Sequence, residues 1–413
     1  MNEKLTIDRL GAQGEGLAEA ARGQVFVSYA LPGEEVIASV ERGRGALISI
    51  ERPSPLRIEP ACRHFGTCGG CAIQHLEGEA YHAWKRDIVV QALKSRGIEA
   101  KVEALVPCEP HARRRATFTT RRTEAGMLLG FNRLLSNEIV PIEECPILLP
   151  GIVSALDRLK KLASLVCATP LPFHIAVTMT ASGLDVAIRD SGKLTEDARR
   201  AAVRFTIEQD FARLSVDGEI IVEPKKPVVT FDGVAVSPPP GGFLQATERA
   251  EQAMADLVCS HLSRAKKVAD LFSGCGTFAL RLARKAEVHA VEGDAAALAA
   301  LDRGFREATS LKRVTVERRD LFRRPLTYKE LARFDGLVFD PPRAGADDQA
   351  KQIARSEVPF VAAVSCNPAT LARDLRILID GGYSVKSGTP IDQFLWSPHV
   401  EAVALLEKPK KRR

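Results

Sequence analysis

Three places in the chain carry side chains that can do chemistry. A thiol is found at Cys366, a carboxylate at Asp340 and a glycine-rich loop at residues 273–276. Each directly follows a short apolar run of the kind that forms a buried strand. Ligands of open α/β sheets bind beyond the carboxyl ends of the strands, so the three are expected to meet in one crevice.

The elements that must position these groups alternate between strand and helix over the last third of the chain. This pattern predicts a parallel sheet with helices on both faces. The expected elements are a helix at 246–262, strands at 267–272, 288–292, 314–317, 336–340 and 359–365, and a final antiparallel pair at 383–389 and 400–406.

The first 240 residues have a different pattern. Short apolar stretches separated by turn residues at 4–53 predict a small β-barrel, and a proline-rich break at 238–242 precedes the alternating region. We therefore expect an α/β multidomain protein: an OB-like barrel at 1–54, an α+β central domain at 55–240 and a Rossmann-like domain at 241–413. A helix within 74–106 is expected between the first two.

Closely spaced cysteines follow the predicted barrel. Cys62, Cys68 and Cys71 lie in a glycine-rich stretch, and Cys145 and Cys108 are candidates for a fourth ligand. Thiolates at this spacing can converge on one metal centre, because glycine lets the backbone wrap it closely. The spacing fits zinc and an iron–sulfur cluster equally well.

The glycine-rich loop formally fits a dinucleotide fingerprint, with Glu292 after the next strand as a ribose acceptor. Asp270 lies just before the loop, where it would repel a pyrophosphate but could face the amino group of S-adenosylmethionine. Asp320 is expected to meet the adenine edge. S-adenosylmethionine is therefore favoured over NAD, and an NAD-dependent oxidoreductase is the weaker alternative.

Charge and composition limit the other classes. The net charge is +6, but five cations lie in the tail after residue 407, so the remainder carries 6 − 5 = +1. Bulk charge therefore does not establish nucleic-acid binding. The sequence has no long apolar run and no apolar leader after Met1, and its nine cysteines fit a reducing compartment. We expect a cytoplasmic protein with no membrane partner.

Three C-terminal motifs resemble those of the RNA uracil-5-methyltransferase family. They are Asp340-Pro341-Pro342-Arg343, Ser365-Cys366-Asn367-Pro368 and His399-Val400-Glu401. The cysteine cluster with Cys145 is similar to the iron–sulfur branch of the family, and the opening barrel resembles a TRAM domain. The resemblance implies a class I S-adenosylmethionine-dependent enzyme similar to 23S rRNA 5-methyluridine methyltransferases, with the early helix packed on the catalytic domain.

The resemblance also implies roles for single residues. Cys366 aligns with the nucleophile, Glu401 with the base and Asp340 with a further catalytic position. The cofactor-binding positions are Gln245, Phe272, Thr277, Glu292, Asp320 and Asp340. A [4Fe–4S] cluster would be held by Cys62, Cys68, Cys71 and Cys145. Thr277 departs from the asparagine that the family often has there.

The expected partner is RNA, bound by a monomer. The pairing of a TRAM domain with a cluster favours ribosomal over transfer RNA. We expect the barrel and the arginines around 113–122 to select the site, with the basic tail adding only phosphate contacts. The alternative from another class is a non-catalytic RNA-binding protein with a structural metal.

Overall fold

A computed structural model describes residues 2–21 and 23–409. Its strands form a six-stranded sheet, a seven-stranded sheet, a two-stranded hairpin and a second seven-stranded sheet along the chain. No helix in these ranges is long and apolar enough to cross a membrane. The tail residues 410–413, named above as phosphate contacts, lie outside the described residues.

The first sheet has short strands that place alternate side chains inside. They are β1 (Asn2–Thr6), β2 (Arg9–Leu10), β3 (Gly16–Ala20), β4 (Gly23–Val27), β5 (Glu35–Glu41) and β6 (Arg44–Arg52), in the order β1-β5-β6-β4-β3-β2. Leu5, Val25 and Val36 belong to its apolar core. An all-β module is thus found at the start of the chain, and its closure into an OB-like TRAM barrel remains a prediction.

Helix α1 (Gly78–Lys94) is shorter than the helix expected within 74–106. The chain leaves the helix after Lys94, and Gly97 has a positive φ of 64°, which residues with a Cβ rarely adopt. Residues 98–106 run extended, and Val102 and Val106 bridge to the last sheet. Val89 on the helix packs into the core of that same sheet.

The central sheet is mixed and carries helices on one side. Its strands, in the order β13-β12-β11-β10-β7-β8-β9, are β7 (Arg115–Thr123), β8 (Gly126–Asn132), β9 (Ile139–Pro141), β10 (Phe173–Thr180), β11 (Gly183–Arg189), β12 (Arg213–Val216) and β13 (Glu219–Val222). The helices are α2 (Pro150–Val153), α3 (Leu156–Val166) and α4 (Glu196–Glu208). Buried side chains of β10, β11, α3 and α4 share one core.

A hairpin and the last sheet complete the described chain. The hairpin is β14 (Val229–Phe231) and β15 (Val234–Val236). The sheet strands are β16 (Lys267–Leu271), β17 (Glu287–Glu292), β18 (Val314–Arg318), β19 (Gly336–Phe339), β20 (Phe360–Ser365), β21 (Ser384–Ile391) and β22 (Glu401–Glu407). The helices are α5 (Glu248–His261), α6 (Ala279–Leu282), α7 (Ala295–Glu307), α8 (Tyr328–Leu331), α9 (Asp347–Arg355) and α10 (Pro368–Asp380).

The last sheet has the order β18-β17-β16-β19-β20-β22-β21. Strands β16 to β20 are parallel, and β21 and β22 form an antiparallel pair at the edge, which confirms the pattern predicted from the sequence. Helices α1, α9 and α10 cover one face, and α5, α6 and α7 cover the other. The chain order reverses between β16 and β19, which is where ligands of such sheets bind.

Candidate active site

Neighbouring strand ends bring the chemical groups of the last sheet together. Leu271 at the end of β16 lies opposite Phe339 at the end of β19, and β19 in turn pairs with β20. Asp340 and Cys366 follow β19 and β20 directly. A cavity of about 890 Å³ opens at this edge, and both residues line it together with Glu401. The predicted crevice is therefore present.

The glycine-rich loop follows β16 and turns sharply at the cavity. Gly274 and Gly276 have positive φ values of 53° and 100°. A Cβ at Gly276 would lie 2.9 Å from Leu301 Cγ, so the loop needs glycine there for space as well as for conformation. The carboxylate of Glu292 accepts the backbone N–H of Gly274 at 2.9 Å, which ties the loop to the end of β17.

Two polar atoms near this loop lack partners. Ser273 Oγ and Gln245 Oε1 are buried without a hydrogen-bond partner among the described residues, and both residues line the cavity. Buried polar atoms of native proteins are normally hydrogen-bonded, so a polar ligand in the cavity would satisfy them. Phe272, Thr277 and Glu292 line the same space. The residues present therefore fit a nucleoside-containing ligand such as S-adenosylmethionine.

Two carboxylates predicted to contact that ligand do not line the cavity. Asp270 lies within β16 and is completely buried, and burial raises its pKa well above the usual range. Asp320 follows β18, is exposed, and accepts the backbone N–H of Phe322 at 3.0 Å. Strand β16 keeps the carboxylate of Asp270 buried, and a local turn holds that of Asp320. Neither side chain therefore lies at its predicted contact with S-adenosylmethionine.

Cys366 is fixed between a strand and a helix. Asn367 caps α10 by accepting the backbone N–H of Ala369 at 3.1 Å, and Pro368 occupies the first helical position. Burial raises the pKa of the Cys366 thiol to about 11, and the negative charges of Glu401 and Asp340 add to this. The thiol is therefore protonated near neutral pH until a bound ligand changes its surroundings.

A cation lies beside the thiol. The charge of Arg343 and its hydrogen bond to Cys366 lower the pKa of the thiol, against the effect of burial. Arg343 Nη2 lies 2.7 Å from His399 Nε2 and 2.8 Å from Nδ1. Burial, together with Arg343, lowers the pKa of His399 to about 4, so this imidazole is neutral near pH 7. Arg343 therefore places one positive charge beside the sulfur of Cys366. The imidazole of His399 adds no second charge, because it is neutral near pH 7.

Two carboxyl groups face the cavity opposite the thiol. Gln245 Nε2 donates to Asp340 Oδ2 at 3.0 Å, and Gln393 Nε2 donates to Glu401 Oε2 at 2.9 Å. Gln393 Oε1 also accepts the backbone N–H of Ala246 at 2.6 Å, which fixes the orientation of its amide. Burial raises the pKa of Asp340 to about 7 and that of Glu401 well above its usual range. Asp340 can therefore exchange protons near neutral pH, and Glu401 holds its proton more tightly than an exposed carboxyl group does.

The loop between β21 and β22, residues 392–400, carries His399 and leads to Glu401. Lys85 of α1 is fully buried beneath it and donates to Asp392 Oδ1 at 2.9 Å, to the Phe394 carbonyl at 3.1 Å and to the His399 carbonyl. Tyr81 OH donates to the same carboxylate at 2.6 Å. The early helix thereby holds the loop that positions the carboxyl group.

The cysteine-rich stretch forms a second wall of the cavity, beside the wall formed by the strand ends that carry Asp340 and Cys366. Cys62, Cys68, Cys71 and Cys145 all line it. Burial raises the pKa of each thiol, to about 12 for Cys71, and the charge of Cys145 raises the pKa of the other three. The four sulfur atoms are thus close enough to interact electrostatically. As placed, however, no group of three or more His, Cys, Asp or Glu side chains within residues 2–21 and 23–409 could hold a metal ion.

Cys108, the other candidate for a fourth ligand, lies elsewhere. It does not line the cavity, and its pKa, raised to about 11 by burial, responds to Asp392 and Lys85 rather than to the other thiols. Cys145 is held near the cysteine-rich stretch because Glu144 accepts the backbone N–H of Arg63 at 2.9 Å. The structure therefore groups Cys145, and not Cys108, with the first three cysteines.

The arginines expected to face RNA divide into two kinds. Arg114 is buried and paired with Glu251 at 2.5 Å, so it is not among the arginines that can face a phosphate. Arg113 and Arg115 line the cavity, where Arg115 lies over the ring of Phe243 at 5.0 Å. Of the five arginines, these two are placed to meet a substrate in the cavity.

Sequence reasoning missed Lys85, Tyr81 and Gln393. Gln393 gave no signal, because a single amide in a loop has no pattern. Lys85 gave one: it follows Trp84 on a helix whose other buried positions include Tyr81 and Val89. A lysine within an apolar helix face calls for a buried acceptor, although the sequence does not say which one.

Comparison with known proteins finds similar RNA methyltransferases over nearly the whole chain. A family model described as tRNA (uracil-5-)-methyltransferase matches residues 236–409. An uncharacterized RNA methyltransferase of Mesorhizobium japonicum is 69% identical over all of both chains. The 23S rRNA (uracil(1939)-C(5))-methyltransferase RlmD of Halomonas elongata is 33% identical, covering 99% of this chain and 90% of that one.

A solved structure shows the same fold over nearly the whole chain. The Pyrococcus abyssi tRNA (uracil-54, C5)-methyltransferase, solved with S-adenosyl-L-homocysteine, has a TM-score of 0.76 and 24% identity, covering 98% of this chain and 99% of that one. At that identity the likeness shows the fold alone. On the family model and the relatives, the chain belongs to the S-adenosylmethionine-dependent RNA uracil-5-methyltransferases.

Proposed function

We propose that this protein methylates C5 of a uridine in 23S rRNA through a covalent adduct between Cys366 and C6 of the uracil ring. The observation that carries the proposal is a half-buried thiol that lines one cavity together with two carboxyl groups, those of Asp340 and Glu401, whose charges raise its pKa. C5 of uracil is a poor nucleophile toward a methyl sulfonium. Attack of a thiolate at C6 raises the electron density at C5. The uridine must leave any helical stack to enter such a cavity.

The proposed reaction has three steps. The Cys366 thiolate bonds to C6, and the C5–C6 π electrons move toward O4 as an enolate. C5 then bonds to the methyl carbon while the methyl–sulfur bond breaks, releasing S-adenosylhomocysteine. Finally Glu401 removes the C5 proton, the C5–C6 double bond re-forms, and the bond from C6 to sulfur breaks to return the thiolate. Arg343 stabilises the thiolate at the start and at the end.

The carboxyl groups suit these roles because burial raises their pKa. A carboxylate with a raised pKa is a stronger base, which favours Glu401 as the proton acceptor. Asp340, held by Gln245, is proposed to orient the uracil ring through its polar edge. Gln393 aims Glu401 by donating to one of its oxygens, leaving the other free to face C5.

We propose that the methyl donor lies along the glycine-rich loop. S-adenosylmethionine supplies an electrophilic methyl group there. Glu292 is proposed to accept the ribose hydroxyls, and Phe272 and Thr277 to contact the rest of the nucleoside. Asp320 adjoins this region because the backbone of Arg319 donates to the Glu292 carbonyl at 2.9 Å, so a change of its side-chain rotamer would serve the predicted adenine contact.

The substrate assignment rests on the 23S rRNA activity in the name of the Halomonas elongata relative. The test is to map 5-methyluridine by mass spectrometry in ribosomal and transfer RNA from cells with and without the gene. We expect one 23S rRNA position to lose its methyl group and to regain it when wild-type protein, but not Cys366→Ala, is restored. Loss confined to transfer RNA would instead assign that substrate, and no loss in either RNA would contradict the enzymatic proposal.

The four cysteines of the cavity wall are proposed to ligate one [4Fe–4S] cluster with a structural role. The support is that Cys62, Cys68, Cys71 and Cys145, and not Cys108, line the same wall. Metal binding deprotonates such thiols and orders the loops that carry them. Anaerobically purified protein should contain about four iron and four sulfide per chain, retained in Cys108→Ser and lost in Cys71→Ser. One equivalent of zinc without sulfide would contradict the cluster.

RNA recognition is proposed to be shared between the first sheet and the cavity mouth. The domain limits 1–54, 55–240 and 241–413 are part of this proposal.

Lys408, counted above with the tail, belongs to the folded chain: its Nζ donates to the Ala354 and Ser356 carbonyls. Deleting 410–413 should therefore weaken affinity without moving the methylated position, whereas deleting 1–53 should impair site selection. The reverse result would contradict this division.

A further inference from the structure

The edge of the last sheet opposite the cavity carries an unbalanced group of cations. They lie just before or at the amino ends of β16, β17 and β18, so the parallel strands bring them to one edge. We call this group the basic edge; it consists of Arg264, Lys266, Lys267, Lys285, Lys312 and Arg313. The proposed chemistry uses none of them.

Backbone hydrogen bonds fix this grouping. The Glu287 N–H donates to the Lys266 carbonyl at 2.9 Å, which places the start of β17 beside the start of β16. The Lys312 N–H donates to the Ala283 carbonyl at 2.8 Å, two residues before Lys285. The three connections that carry the cations are thereby held side by side.

The basic edge lacks counter-ions. All six side chains are exposed, and none forms an ion pair within the part of the chain that the structure describes. The acidic neighbours are Glu287 and Asp335, and the Asp335 carboxylate accepts the backbone N–H groups of Lys266 and Lys267. The local sum is 6 − 2 = +4, whereas the chain without the four cations of residues 410–413 carries 6 − 4 = +2. Positive charge is therefore concentrated at this edge.

We propose that the basic edge binds the phosphate backbone of a second helix of the RNA substrate, away from the target uridine. This rests on the proposed function and extends it to the size of the substrate. Strand β16 has five residues, so the two edges are separated by about 17 Å along the strand, plus the loops. An RNA that reaches both edges must wrap the sheet, which a short single-stranded segment in the cavity does not do. The substrate is therefore a large folded RNA.

The test removes four of the six charges, in the variant Lys266→Gln/Lys267→Gln/Lys312→Gln/Arg313→Gln. The matched control, Lys94→Gln/Arg96→Gln/Lys193→Gln/Arg204→Gln, removes four exposed cations that also lack ion pairs among the described residues but lie apart. Both should keep the wild-type melting temperature, since exposed charges contribute little to stability. Binding is measured from 50 to 200 mM salt with two probes, an unmodified full-length 23S rRNA transcript and a 20-nucleotide oligouridine.

For the basic-edge variant, we expect the slope of log affinity against log salt on 23S rRNA to fall by about 3–4, because each of the four lost phosphate contacts contributes about 0.7–0.9. Binding of oligouridine should change less than about twofold, and the control variant should retain the wild-type slope. With 23S rRNA as substrate, the variant should show a raised KM and an unchanged kcat, as expected when only binding is lost.

Three results would overturn the proposal. One is an unchanged slope on 23S rRNA, and another is an equal loss in the control variant. The third is an equal loss of binding to polyglutamate, which would make the basic edge a general anion surface. The slope is measured without turnover, so it can be read even if no RNA is methylated, and the failure of the proposed function would be seen separately.

Discussion

The two walls of the cavity are built in different ways. On one wall, Asp340 and Cys366 follow paired parallel strands, and donated hydrogen bonds hold Asp340 and Glu401. On the other wall, the cysteines lie in loops, and Cys68 Sγ accepts the Gly70 N–H of its own loop at 3.4 Å. The chain alone arranges the first wall. The second wall carries four thiols, but as placed they do not have the geometry of a metal site.

This difference indicates which wall of the cavity depends on a bound ligand for its structure. Strand pairing and buried hydrogen bonds fix a backbone without help, so the strand-end wall is organised before substrate binds. Four partly buried thiols with raised pKa values have little to gain from one another while protonated. A cluster would replace the four protons and draw the loops together. We therefore expect substitutions on the first wall to affect chemistry and those on the second to affect stability.

The largest expected effect is that of Cys366→Ala on the first wall. Removing the proposed nucleophile should lower kcat at least about 10⁴-fold with little change in melting temperature. RNA containing 5-fluorouridine should form a denaturation-resistant complex with the wild type, because fluorine cannot leave as a proton. The control, Cys259→Ala on α5 outside the cavity, should still be trapped. Trapping by Cys366→Ala would exclude this thiol as the nucleophile.

Glu401→Gln should have the next largest effect, lowering turnover by about 10²–10⁴-fold. The amide keeps the size of the side chain and can still pair with Gln393, so the first two steps should proceed. The adduct should then accumulate on ordinary RNA, which gel electrophoresis under denaturing conditions detects. Rapid release of methylated product from this variant would show that another group removes the C5 proton.

The strand-end wall could be predicted largely from the sequence. Short, mainly apolar runs located β16, β19 and β20, and parallel pairing then placed their ends together. Asp340 and Cys366 could be grouped for that reason alone. Asp270 shows the limit, because the pattern locates the strand but does not say which of its side chains reach the cavity.

The contacts between distant segments could not be predicted in this way. Lys85 and Asp392 are separated by 307 positions and meet only because α1 packs on the last sheet. No local pattern encodes that packing. The wider limit of 106 for the early helix was also wrong: α1 ends at Lys94, and Val102 and Val106 bridge to the last sheet from a non-helical segment. The spacing of apolar residues shows which side of a segment is buried, but it does not show which other element that side contacts.

Lys85→Met tests whether α1 holds the loop that leads to Glu401. Breaking a buried pair leaves Asp392 without its cation, which should lower the free energy of unfolding by about 3–5 kcal/mol. Because Lys85 also donates to the His399 carbonyl, kcat should fall more than affinity for RNA. Lys94→Met on the exposed end of the same helix is the control and should change stability by less than about 0.5 kcal/mol. Equal stability of the two variants would show that the buried pair does not hold the loop.

The smallest expected effect compares two thiols whose burial raises the pKa to about 11, Cys366 in the cavity and Cys259 on α5. Iodoacetamide reacts with the thiolate, so both alkylation rates should rise about tenfold per pH unit from 7 to 10. Arg343→Gln removes the charge that lowers the pKa of Cys366, and it should slow alkylation of that thiol several-fold while leaving Cys259 unchanged. Peptide mass spectrometry at each pH separates the two sites. If Arg343→Gln slowed both equally, or neither, the charge beside Cys366 would not tune its thiol, and the preparation of this wall for catalysis would have to come from the bound substrate.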